Sequence, residues 1–167
     1  MMDAQTFWSL PRRLSPTQIM TEILPEMPDI LPQLTIARPT NLHILGAGGG
    51  VWALRLVGGR LTAEAGAADD ALCQIACLRS AFAALVGGAL RDRGLAVMKR
   101  LGRAGELPDL RRLPVDEAHL ETVSRLRGSV AIEVEDRDMR EAHRFVITFG
   151  SGAPQHEDAT TTVRFDA

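Results

Sequence analysis

The sequence predicts an α+β domain: a mainly antiparallel sheet of five to seven strands with helices packed on one face. Three observations carry that expectation. Residues 40–65 alternate apolar and polar side chains around glycine-rich turns. Apolar residues between 78 and 126 recur instead at three- and four-residue steps. From Val130 the period of two returns. Strands, then helices, then strands again is the α+β order.

The first helix signal is Ser15-Pro16-Thr17-Gln18. Ser15 is a capping residue, Pro16 takes the first helical position, and Gln18 completes a capping box. Ile19, Met20, Ile23 and Leu24 then form an apolar stripe, and Pro25, Pro28, Pro32 and Pro39 forbid a long successor. Asn41–Leu45 reads as a strand, Gly46–Gly50 as a connection, and Val51–Val57 as a second strand with Trp52, Leu54 and Leu56 on one face. Gly58-Gly59 supplies the positive φ of a tight hairpin into Arg60–Ala65. Ala71–Cys77 fits a short strand better than a backward extension of the following helix. That helix carries Leu78, Phe82, Leu85 and Val86 and stops at Gly87-Gly88.

A further helix is expected over 90–101, then a loop over 102–114. Another clear helix, capped by Asp116, places Leu120, Val123 and Leu126 on one side and stops at Gly128. Val130–Val134, Phe145–Phe149 and Thr161–Phe165 are the closing strands, with a charged turn at Asp136–Glu141.

The motifs that could carry chemistry are weak. Asn41–Val51 (NLHILGAGGGV) matches the first two glycines of a dinucleotide-binding turn, but Val51 stands where the third belongs, and period-2 residues follow where a helix is required. A glycine-rich hairpin is the better reading. His43, His119, His143 and His156 lack partners at metal-ligand spacing, so each reads as a strand or surface residue. Asp136 and Asp138 begin like a calcium loop, but Arg140 breaks the pattern, leaving a solvated hairpin tip. Ser80 and Ser124 have no nucleophile-elbow context. The chain calls for no metal and no cofactor, and no catalytic residue stands out.

The totals set further bounds. With 167 residues and 46% hydrophobic content, one buried core is expected. A formal net charge of -2 gives no electrostatic reason to expect nucleic acid as a partner. Seven basic residues against three acidic ones between Arg91 and Arg112 form a local surplus, best read as a solvated face. Cys73 and Cys77 are read as buried free thiols in a reducing compartment, since on a strand they lie roughly 13 Å apart. MMDAQTFWSLPRRL does not have the layout of a secretory signal, and no apolar run suits a transmembrane segment. A cytoplasmic protein is expected. Lys99 is the one lysine among 19 basic residues, a bias that points to GC-rich coding and a bacterial source.

Residues 51–90 resemble the sterol-carrier-protein-2 family of lipid-carrier domains. The matching pieces are Trp52-Ala53-Leu54-Arg55-Leu56, Gly58-Gly59-Arg60-Leu61, Asp69-Asp70-Ala71-Leu72 and Cys77–Gly87 (CLRSAFAALVG). The chain departs from that family in inserting residues 91–127 and in continuing through roughly three more strands. The resemblance implies a single domain of this kind over 1–167, with 1–13 as a loosely ordered arm. It implies a non-catalytic carrier of an apolar ligand (fatty acyl, sterol-like or isoprenoid) in a cavity between sheet and helices.

Trp52, Leu54, Leu56, Phe82, Leu85, Val86, Leu90 and Met98 are the apolar residues best placed to line such a cavity. The same residues would serve a filled core equally well. Met20, Met27 and Met98 would make an adaptable wall. The alternative function is a protein-interaction domain, joined as a homodimer through Phe145–Phe149 and Thr160–Phe165. An enzyme ranks third.

Overall fold

Trp52 sits in a row of side chains that crosses the entire sheet. It lies opposite Ala65 on one side and Leu42 on the other, and the row continues through Ile75, Ile147 and Val130 to Thr161. A computed structural model of the chain defines this arrangement and describes residues 14–26, 34–87, 92, 96, 117–137, 140–150 and 159–166. The expected arm over 1–13, the helix over 90–101, the loop over 102–114 and the basic segment between 91 and 112 fall almost wholly outside the described residues.

The strands are β1 (Ile36–Leu45), β2 (Gly50–Val57), β3 (Arg60–Ala65), β4 (Cys73–Leu78), β5 (Gly128–Asp136), β6 (Glu141–Phe149) and β7 (Thr161–Asp166). They form one sheet in the order β3-β2-β1-β4-β6-β5-β7. Among the described residues, three helical segments with defined bounds accompany it. The first, α1, opens as an α-turn over Pro16–Gln18, widens to a π-type turn over Ile19–Ile23 and closes as a 3-10 turn over Leu24–Glu26. The others are α2 (Arg79–Gly87) and α3 (Glu117–Arg125). The capping box forms as the sequence predicts: the Gln18 N–H donates to Ser15 Oγ, and the Ser15 N–H donates to Gln18 Oε1.

The sheet is mixed, which corrects the expectation of a mainly antiparallel one. β1 pairs parallel with β4, and β5 pairs parallel with β7. The reason lies in the connections. Residues 66–72 do not fold back on β3 but carry the chain past β2 and β1, so that β4 joins the far side of β1 in the same direction. Several bonds fasten this crossover. Asn41 Nδ2 donates to the Ala68 carbonyl and Asn41 Oδ1 accepts from the Ala68 N–H, both at 2.9 Å. Arg38 donates to the carbonyls of Asp70 and Ala71, and the Leu72 N–H donates to the Pro39 carbonyl.

β1 is also longer than expected, starting at Ile36 and running through Pro39. Its pairing with β2 is irregular between Ile36 and Thr40, which accommodates a residue that has no N–H to give to a ladder. The β1–β2 and β2–β3 hairpins fall where the glycines place them. Gly58 and Gly59 have φ of 55° and 83°, as a tight primed turn requires. Gly46–Gly50 links β1 to β2 and opens no helix, so the dinucleotide-turn alternative does not apply.

Alternation then divides the sheet. One face carries Leu54, Trp52, Leu42, Ile44, Cys77 and Phe145, and α1 and α2 cover it with Ile19, Met20, Leu24, Ala81 and Phe82. The other face carries a polar row in which Asn41, Gln74, Thr148 and Ser129 lie opposite one another.

Candidate ligand-binding site

The expected lining residues separate into three groups. Trp52 and Phe82 are buried, at 8% and 6% exposure, and Leu54 and Val86 pack against the same cluster. Leu56 is half-buried one rung farther along β2, outside that cluster. Leu85 contradicts the expectation for a lining residue, being 49% exposed. The apolar stripe of α2 is covered where β1, β4, β6 and α1 meet it, through Ala81, Phe82 and Val86, and Leu85 falls outside that contact. Leu90 and Met98 lie outside the described residues, as does Met27; Met20 is buried in the cluster at 4% exposure.

Sequence reasoning missed several members of this layer. Leu42, Ile44, Cys77 and Phe145 all join it. Their periodicity was visible, but which strands lie side by side depends on the crossover and the order of the sheet. Burial pushes the Cys77 thiol up to about 11, the direction desolvation gives when nothing stabilises a thiolate. Cys73 and Cys77 are both free and buried, as the sequence predicts.

The layer holds one unmatched polar atom, the Trp52 Nε1 nitrogen, which is buried without a hydrogen-bond partner. Gly50 lies against it, so that a Cβ added there would come within 3.3 Å of that nitrogen. Among the described residues, three more buried atoms lack partners: Thr148 Oγ1 on the polar face, His143 Nδ1 and Arg144 Nε.

His143 is a strand residue, as one of its two expected placements has it, and it is buried at 5% exposure. Glu133 stands between Arg144 and Arg164 in the sheet. These residues line a cleft at the end of the sheet, described below. A smaller cleft of about 220 Å³ lies between the start of β1 and α3, lined in part by Arg38, Leu72 and Leu120.

Among the described residues, no three His, Cys, Asp or Glu side chains converge as metal ligands would. No described helix is long and apolar enough to cross a membrane. No family model matches the chain, and no curated protein or solved structure shows significant similarity to it.

Proposed function

We propose that the chain is a non-catalytic carrier or binding domain of the sterol-carrier-protein-2 kind, acting in the cytoplasm. It takes an apolar ligand, fatty acyl or sterol-like, between the sheet and the helices α1 and α2. The observation that supports this most is the buried, unpartnered Trp52 N–H in an otherwise apolar layer. A dry N–H without an acceptor costs about 1–3 kcal/mol, and a carboxylate or hydroxyl oxygen on an entering ligand would satisfy it. In this reading Phe82 and Leu54, which pack in the same cluster as Trp52, set the size of the ligand space.

The test is uptake of a fluorescent fatty acid. The wild-type chain is expected to bind it saturably. Phe82→Trp and Leu54→Trp, which fill the space, are expected to lower uptake at least tenfold while circular dichroism keeps its shape. Uptake that is absent in the wild type, or unchanged in both variants, would overturn the proposal.

A second reading, a homodimerisation domain, has its own support. β7 is an edge of the sheet, and Val163 on it is 40% exposed. Only this half of the expected interface remains available. β6, which contains Phe145–Phe149, lies between β4 and β5 and offers no edge there.

A further inference from the structure

The sheet has a step where β4 stops. The β4–β6 ladder ends at Cys77 opposite Phe145, whereas β5 and β6 remain paired out to Asp136 opposite Glu141. A cleft of about 370 Å³ occupies this step. That volume suits a small molecule, since such sites run from ~300 to ~1,000 Å³. Leu78, Val134 and Ala142 provide apolar wall, and Glu133, Arg144 and Arg164 provide charge.

Glu133 faces Arg144 on β6 and Arg164 on β7, so that one carboxylate stands between two guanidinium groups. Arg164 Nε donates to Glu133 Oε2 at 2.7 Å, while Arg144 Nη1 stands 3.4 Å from the other oxygen. Arg144 Nε is buried and has no partner. His143 also lines the cleft, nine-tenths buried and more, with Nδ1 unpartnered and Nε2 3.5 Å from Glu141 Oε2.

A buried guanidinium N–H without an acceptor is costly, and its planar fork matches the paired oxygens of a carboxylate or a phosphate.

We infer that this cleft binds a small amphiphilic anion. Its oxyanion, a carboxylate or a phosphate, sits on Arg144, and its apolar part lies against Leu78, Val134 and Ala142. Glu135 lines the same cleft and Glu141 lies beside His143, so the local field is close to balanced. Affinity therefore comes from short-range hydrogen bonds more than from long-range attraction. The inference does not rest on the carrier proposal, because it uses a different part of the sheet.

Titration of hexanoate, hexyl phosphate and inorganic phosphate into the isotope-labelled full chain tests it, with the Arg144 Nε–Hε and His143 ring resonances as reporters. Saturable shifts with either hexyl anion are expected, and the stronger of the two identifies the oxyanion. Arg144→Gln should weaken binding about tenfold or more. Arg144→Lys, which keeps the charge but loses the fork, should weaken it as well. Glu133→Gln should tighten binding by removing the resident carboxylate. The inference is overturned if neither hexyl anion shifts these resonances, or if both Arg144 variants bind as the wild type does. It is also overturned if inorganic phosphate binds as tightly as the hexyl compounds, because the apolar walls would then contribute nothing.

Discussion

Asn41 uses both ends of its amide on the backbone of a single residue, Ala68, and it does so at 1% exposure. Those two bonds fasten the crossover that makes β4 parallel to β1. Asn41→Ala would leave the Ala68 N–H without this acceptor and its carbonyl with the long 3.4 Å bond from the Ala71 N–H, and a cost of about 2–4 kcal/mol is expected in chemical denaturation. Cys77 offers a second residue-scale check. Its thiol rises from 9.0 to about 11 on burial in the folded chain. The unfolded chain therefore releases this proton first, so the stabilising contribution is intact below pH 9.0 and lost as pH rises toward about 11. Cys77→Ala is expected to flatten that alkaline decline, read as denaturation midpoint against pH. The buried free thiol is legible in the sequence, but the role of Asn41 is not. Asn41 reads there as the first residue of a strand, and nothing local marks its side chain as a clamp on a loop 27 residues away.

At the scale of elements, much was legible because the signals are local. The Ser15–Gln18 capping box, the Gly58-Gly59 hairpin and the Cys73–Leu78 strand are each specified by a few adjacent residues. The β1–β2 turn is as tightly specified. A Cβ on Gly49 would lie 2.0 Å from the Ile44 carbonyl oxygen, a backbone atom that cannot move aside without breaking the turn. Gly49→Ala is expected to cost about 2–3 kcal/mol, measured by thermal or denaturant unfolding. Elements whose form depends on distant partners were less legible. β1 continues through Pro39 because an irregularity in its pairing tolerates a missing N–H. Leu85 has the right helical phase but falls where nothing described covers it. Glu133, Arg144 and Arg164 are separated in sequence and become neighbours only through the register of β5, β6 and β7.

At the scale of the whole molecule, the order of the strands decides what each face can do. The α+β class follows from the sequence of periods, but two parallel pairings come from crossovers that alternation alone does not encode. That order moves Phe145 from an expected dimer edge into the covered layer beside Trp52, Leu42 and Phe82. It also creates the step at the end of β4, remote in character from the apolar layer and lined by charge. The covered layer was half legible. Trp52, Leu54, Phe82 and Val86 follow from strand and helix phase, while Leu42, Ile44 and Cys77 required knowledge of which strands adjoin.

The carrier account is tested most directly by native mass spectrometry of the purified chain, followed by organic extraction of whatever it releases. The account predicts a stoichiometric apolar adduct, lost in Phe82→Trp, whose extracted mass identifies the ligand class. A clean mass with no adduct, unchanged after incubation with fatty acids and sterols, would contradict it. The same spectrum would then show whether the chain is a dimer, the outcome that the second reading predicts.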